Sequence, residues 1–343
     1  MNREQLALFF CNIAQKYSPL TKPAKKALSY LFKATILVLA FLYIYHQYLE
    51  KRDNLKQFEV SVAHLNHTQV AVIMAAVVVL MFANWITESL KWQYLTHKLA
   101  TISLWQAIEG VFSGLTWAIF TPNRIGEYGG RVMFLPPRKR IHGVFAMTVG
   151  SFGQNVITNV LGAAASVWFA FTFLHLSSWA LIAIAVIALI HIGLFLVLFF
   201  NIKWLVWLLN RIAFLKKYHR FFDIMGNYKF GELFNIMCFC LIRFFIFSFQ
   251  YYLLVHLLVP AIPFHEVILL VFIFFFIQST IPSLDLLDVP VRATVAVTLF
   301  AYVTHQHVAI IAAFASMSLI NLIIPAILGL VFTFNLKFFD RNL

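Results

Sequence analysis

Of 343 residues, 62% are hydrophobic and only 11% are charged, a balance that excludes a soluble domain and leaves one polytopic transmembrane domain, residues 1–343, as the economical reading. Lys and Arg number 26 against 13 Asp and Glu, a net charge of +13. The bases fall in short clusters beside apolar runs, the pattern of cytoplasmic loops next to anionic lipid, so nucleic acid is set aside as a partner.

Residues 1–27 form a cytoplasmic or interfacial N-terminal segment. Leu6, Phe9, Phe10 and Ile13 lie on one side of a helix and Arg3, Asn12 and Lys16 on the other, which fits either a surface helix or a frayed tail. No cleavable signal pattern opens the chain, so the first span, about 28–49, is expected to direct insertion. Lysines crowd its entrance and place the N-terminus in the cytoplasm. A loop over 50–69 follows outside. A second span over about 70–90 then delivers Lys91 and Lys98 to the cytoplasm.

Two shorter apolar segments come next, 105–120 and 125–135. Neither has the ~20 residues a span needs, and Arg138, Lys139 and Arg140 follow at once. This predicts a re-entrant hairpin over about 103–136 that enters from the cytoplasm and returns there. Spans follow at about 142–174 and 179–200, then a basic cytoplasmic stretch in which Trp204, Leu205, Trp207 and Leu208 point to a surface helix. The chain goes out again over 233–259. A second interrupted pair, 266–281 and 289–302, predicts another hairpin over about 266–303, entering from outside, although its second arm leaves a full crossing open. The last span, 308–334, ends at Lys337 and Arg341 in the cytoplasm. The expected fold is therefore all-α, with about six spanning helices, two opposed re-entrant hairpins, an inverted repeat and both termini on the cytoplasmic side of the plasma membrane.

The hairpins carry matching motifs. Residues 121–131 read TPNRIGEYGGR and residues 281–292 read IPSLDLLDVPVR. In each, a proline (Pro122, Pro282) breaks an apolar run, and a carboxylate stands four residues before an arginine, Glu127 with Arg131 and Asp288 with Arg292. Proline-interrupted segments in corresponding halves are a sequence pointer to a transport site. A charge at membrane depth costs about 2.5 to 3.5 kcal/mol on insertion scales unless it is paired or faces water. The seating of a broken helix accounts for one such pair; two at equivalent positions point to a polar site shared by the tips. Arg124 and Asp285 add a charge of either sign, and Gly126, Gly129 and Gly130 allow close backbone approach, turn formation or tight helix packing. Guanidinium matches phosphate, so the site suits an anionic headgroup.

Arg243 lies about ten residues inside its span and needs an acidic or lipid partner. Glu109, Gln154, Asn155, Asn159, His191, Gln278 and Asn321 read as interhelical hydrogen-bonding residues. Cys11, Cys238 and Cys240 read as small apolar fillers, and His64, His67, His305 and His307 as exposed loop residues. No metal-ligand constellation stands out, so no metal or other cofactor is expected.

At Pro122, Gly126-Glu127 and Arg131, and again at Pro282, Asp288 and Arg292, the chain resembles the transmembrane region of the lysylphosphatidylglycerol synthase/flippase family. The resemblance implies a membrane domain of inverted design that moves a lipid between leaflets. No soluble aminoacyltransferase domain follows Leu343 in this sequence, so aminoacyl transfer is not expected, and Asn123-Arg124 departs from a more glycine-rich family motif. The expected function is a flippase or lipid-linked transporter for an anionic phospholipid or polyprenyl phosphate. In this reading Arg131 and Arg292 grip the headgroup, and Glu127 and Asp288 are their partners when the site is empty. The rivals are a membrane enzyme modifying a lipid headgroup, with Glu127 or Asp288 as general base, and a scaffold for a separately encoded lipid-modifying enzyme.

Overall fold

The computed structural model describes residues 66–119, 121, 124–211, 219–280 and 288–335. All but the last two belong to one compact unit, Glu50–Thr333. Every regular element among the described residues is helical. In chain order they are α1 (His67–Thr96), α2 (Leu104–Ile119), α3 (Ile125–Val132), α4 (Arg140–Phe173), α5 (Ser178–Phe200), α6 (Ile202–Arg211), α7 (His219–Gly226), α8 (Phe230–Leu258), α9 (Phe264–Thr280), α10 (Asp288–Phe300), α11 (His307–Ser318) and α12 (Ile324–Asn335). A 3-10 turn, Pro137–Lys139, precedes α4, and a π turn, Leu319–Ile323, joins α11 to α12.

Five stretches are long and apolar enough to cross a bilayer: His67–Thr96, Pro137–Phe173, Ser178–Phe200, Phe230–Leu258 and His307–Thr333. They coincide with five of the expected spans and make the chain an integral membrane protein; the sixth, over 28–49, lies outside the described residues, as does the segment 1–27. Between the spans, α2, α3, α9 and α10 are too short to reach from face to face on their own.

The frame is an antiparallel pair, α1 against α8, bonded at successive levels. Gln250 Nε2 donates to Val77 O at 2.8 Å, Arg243 Nε to Asn84 Oδ1 at 3.1 Å and Asn235 Nδ2 to the Tyr94 hydroxyl at 3.0 Å. Beyond these, Lys98 pairs with Glu232. Tyr228, just before α8, donates its hydroxyl to Leu95 O at 2.7 Å, satisfying a carbonyl of the last turn of α1. Burial, helped by the nearby Glu232 carboxylate, pushes the Tyr228 phenol up from its ordinary pKa.

Helix α4 packs against both members of the frame through small residues. Gly150 faces Leu95 of α1, Gly153 faces Cys240 of α8 and Phe199 of α5, and Gly162 faces Phe276 of α9. Such residues let helices approach closely where lipid supplies no hydrophobic drive between them. Cys240 is fully buried and both Cys238 and Cys240 are free thiols, in line with an apolar packing role. Peripheral α5 buries only Phe199. Short α6 turns Ile202 and Val206 inward and leaves Trp204, Trp207 and Leu208 exposed, with the Arg211 guanidinium 3.9 Å from the Trp207 ring centroid.

Helices α2 and α3 fold back on each other as a tight hairpin. Glycines of both helices line the contact: Gly130 of α3 lies directly on Gly114 of α2, Gly110 of α2 faces Arg131 O, and Gly126 of α3 faces Trp117 O. A Cβ built on Gly130 falls 2.6 Å from Gly114 Cα, and one on Gly126 falls 2.3 Å from Trp117 O. Gly126 and Gly130 are thus packing residues, whereas a Cβ on Gly129 meets nothing within 4 Å. Behind the hairpin, Thr116 Oγ1 donates to Ala326 O of α12 at 2.8 Å, and Phe332 of α12 packs on Trp105 and Phe112.

This packing separates adjacent glycines by their tolerance. Gly130→Ala drives a methyl into backbone and is expected to lower stability by about 1 to 3 kcal/mol. Gly129→Ala gains helix propensity in open space and is expected to match or slightly exceed the wild type. Thermal unfolding of both variants in detergent checks the contrast; equal losses would contradict the hairpin interface.

Candidate functional site

The inward face of α1 runs through Val77, Met81, Asn84, Trp85, Glu88, Lys91, Trp92 and Leu95, all buried, at the three- and four-residue steps of one helix face. Phe82, Ile86 and Leu90 face outward. Asn84, Glu88 and Lys91 therefore sit on the side an apolar span turns toward protein, and Asn84 and Glu88 meet the arginines of two other elements.

Glu88 is the meeting point. Its Oε1 accepts from Arg131 Nη1 of α3, and its Oε2 accepts from Arg243 Nη1 of α8 and from Lys91 Nζ at 2.8 Å. The second guanidinium nitrogen of Arg131 donates to Glu127 Oε1, and Glu127 Oε2 pairs with Arg124 Nε at 2.9 Å. Arg243 also lies over the Trp85 and Phe247 rings, 5.5 and 5.8 Å from their centroids. Four cations, Lys91, Arg124, Arg131 and Arg243, thus meet two carboxylates within one cluster, an excess of two positive charges. Desolvation of charges at this depth of burial costs several kcal/mol per ion and is offset only by such close pairing.

Arg124 holds the turn into α3. It has φ 57° and ψ 27°, the left-handed region, and among the described residues it is the one non-glycine with positive φ. For an L-residue this costs about 1 to 2 kcal/mol. The conformation sets the entry of α3 so that Arg124 and Glu127 pair within one turn. Beside it, Gly126 N donates to Thr121 Oγ1 at 2.7 Å.

The cluster opens into a cavity of about 390 Å³, within the usual size range of small-molecule sites. Arg124, Glu127, Arg131 and Arg243 line it, and so does half-buried Arg292 of α10. Arginines of the two sequence motifs therefore share one space. The side chain of Asp288, at the start of α10, and residues Pro122, Pro282 and Asp285 lie outside what the structure describes. Glu109 is not among the lining residues.

Sequence reasoning missed Glu88 altogether and assigned Lys91 to a cytoplasmic loop. Lys91 is instead 3% exposed and ion-paired, because α1 continues past residue 90 to Thr96. The available signal was the spacing of Asn84, Glu88 and Lys91 on the face of Val77, Met81 and Trp85. Gln154, Asn155, Gln278 and Asn321, expected to bond between helices, line the cavity, and Gln154 of α4 accepts from Arg243 Nη1 of α8 at 3.5 Å; Asn159 and His191 bond across α4 and α5 at 3.0 Å. Among the described residues no group of His, Cys, Asp and Glu could hold a metal ion.

No family model, curated protein or solved structure matches this chain significantly, so its chemistry is argued from the cavity.

If Glu88 is the shared counter-ion, Glu88→Gln leaves Arg131, Arg243 and Lys91 without adequate neutralisation and is expected to cost about 3 to 5 kcal/mol. Combining it with Arg243→Gln should cost clearly less than the two single changes added together. Denaturation in detergent of the four proteins of this cycle gives the coupling; strict additivity would mean the two groups do not interact.

Proposed function

We propose that this protein is a lipid transporter of the plasma membrane that binds the anionic headgroup of a phospholipid or polyprenyl phosphate in the α1, α3, α8 and α10 cavity and moves it between leaflets. The observation that carries this reading is the excess of arginine and lysine over carboxylate around Glu88, inside an open cavity. Guanidinium groups held in place by packing are matched to phosphate oxygens, with little ordering left to do on binding.

In this mechanism Glu88 and Glu127 hold Arg131 when the cavity is empty. An arriving phosphate competes for the same guanidinium nitrogens, and the carboxylates release them in part while the pairing with Lys91 and Arg124 keeps the acids neutralised. Arg243 of α8, beside Arg131 on the same Glu88 carboxylate, and Arg292 of α10 line the same cavity and bind the headgroup with Arg131. Transport further calls for α2 with α3, and α9 with α10, to act as opposed re-entrant hairpins related by an inverted repeat. Both pairs are built of helices shorter than a span, 16 and 8 residues in the first and 17 and 13 in the second, which supports that arrangement. Exposed Arg138 and Lys139 directly after the first hairpin favour a cytoplasmic position for its ends, and with it cytoplasmic termini.

Transbilayer movement of fluorescent phosphatidylglycerol in proteoliposomes tests the proposal by dithionite quenching. Wild-type protein is expected to expose inner-leaflet lipid to quencher, and Arg292→Gln or Arg243→Gln, confirmed folded by size-exclusion chromatography, to slow this at least about tenfold, the loss of one charge-assisted contact. Wild-type rates in both variants would dismiss the mechanism.

A further inference from the structure

The cations account for one part of the cavity only. Along α4 runs a polar stripe, since Ser151, Gln154, Asn155 and Thr158 all line the cavity and stand at i, i+3, i+4 and i+7. Each of these four side chains already has a partner in the protein. Gln154 Oε1 accepts from Arg243 Nη1 at 3.5 Å, Asn155 Oδ1 from Asn159 Nδ2 at 3.3 Å and Ser151 Oγ from the Tyr128 hydroxyl at 3.1 Å, while Thr158 Oγ1 donates to Gln154 O at 3.0 Å. The stripe therefore does not depend on a ligand for its hydrogen bonds.

A third wall is aromatic. Phe247 of α8 and Phe275 of α9 both line the cavity, and both are only half-buried, so part of each ring stays accessible. Their centroids lie 6.5 Å apart, and Phe275 also packs on Tyr251 and Phe244 of α8 at 5.5 and 5.4 Å, which joins the rings into one plate. On α9 the plate gives way to Gln278, one turn further along. At its other edge it reaches the cations themselves, because the Arg243 guanidinium carbon is 5.8 Å from the Phe247 centroid while Nη1 of the same group donates to Glu88.

A phosphate held by Arg243 thus stands at the edge of the ring plate, and the group esterified to it lies within reach of Phe247. What that group is decides how well it fits. In a glycerophospholipid the phosphate is followed by glycerol and its ester oxygens, polar atoms that gain no partner from a phenylalanine ring. In a prenyl phosphate hydrocarbon begins at the carbon bound to the phosphate oxygen, and the rings receive it with no polar group left unpaired. We propose that the cavity selects a phosphate ester of an alkyl or prenyl alcohol, whose first carbons lie on the Phe247 and Phe275 rings while the phosphate engages the arginine cluster. The proposal rests on the phosphate-binding reading above and narrows its preferred cargo to polyprenyl phosphates; glycerophospholipids share the phosphate and are weaker ligands of the same site.

Calorimetric titration of the full chain in lipid nanodiscs, corrected for empty nanodiscs, tests it with dimethylallyl phosphate, glycerol 3-phosphate, inorganic phosphate and dimethylallyl alcohol as probes. Dimethylallyl phosphate is expected to bind at least about tenfold more tightly than the other two phosphates, since each buried carbon adds to affinity and a buried glycerol hydroxyl does not. Phe275 touches no arginine among the contacts above, so its variants separate chain from phosphate. Phe275→Leu, which keeps the helix apolar, should lower dimethylallyl phosphate affinity roughly threefold to tenfold, and Phe275→Gln should bring it close to that of inorganic phosphate, with inorganic phosphate binding unchanged in both. Arg292→Gln should weaken all three phosphates alike. Glycerol 3-phosphate or inorganic phosphate binding as tightly as dimethylallyl phosphate would overturn the chain selection and leave phosphate binding standing, as would an equal loss for every phosphate in the Phe275→Leu protein. Failure of all three phosphates to bind wild-type protein would overturn the phosphate reading as well, and dimethylallyl alcohol binding as tightly as its phosphate would remove the arginines from recognition.

Discussion

A single carboxylate, Glu88, accepts from cations on three helices, and the interior is built around that fact. Arg131 comes from the short hairpin helix, Arg243 from the antiparallel partner of α1, and Lys91 from one turn further along the same helix. None of these groups is tolerable alone in an apolar interior, where an unpaired charge is far more costly than an unpaired amide. Each is present only because the others are. The cluster therefore fixes where α1, α3 and α8 sit relative to one another more narrowly than apolar packing does, since Phe and Leu side chains pack acceptably in several registers and a guanidinium on a carboxylate does not. It also leaves net positive charge beside an open cavity, so the same interaction that orders the helices gives the space its chemical preference.

The short hairpin shows how the sequence solves a packing problem in order to present those charges. Bringing Arg131 to Glu88 needs α3 to lie almost backbone to backbone on α2, and the glycines at 110, 114, 126 and 130 remove the side chains that would prevent it. The turn between the two helices then needs a left-handed residue. Arg124 takes that conformation although glycine would do so without strain, and its side chain is what pairs with Glu127. Strain is accepted where a charge is wanted.

Local features were legible and long-range ones were not. Runs of apolar residues marked the five described spans, because length and hydropathy alone define a span. The four-residue spacing of Glu127 and Arg131 marked their pairing, because one helical turn brings them together. Arg243 was visible as a charge in need of a partner. Its partner was not, since Glu88 lies 155 residues away and only the tertiary fold joins them. Lys91 was misread because averaging over a window of hydropathy ends a span where the first charges begin, while the helix itself runs on to Thr96. The α4 stripe was hidden for a related reason. Ser151, Gln154, Asn155 and Thr158 each look like isolated interruptions of an apolar segment until their common face is seen to border a cavity. Gly110 and Gly114 drew no notice for want of any charge beside them.

The bonds between α1 and α8 run from Gln250 with Val77 at one end to Glu232 with Lys98 at the other, in a single antiparallel register. Helices latched at so many heights neither slide nor pivot against each other without breaking several buried polar contacts together. They form a fixed post. Any rearrangement that opens the cavity to one side or the other falls instead to elements outside the ion-paired cluster, above all the α11–α12 column, which is interrupted by a π turn and meets α2 backbone to backbone at Gly329. The mechanical division of the molecule into post and movable leaf is thus written in the chemistry of its contacts, with ion pairs and amides where it stays still and small residues where it gives.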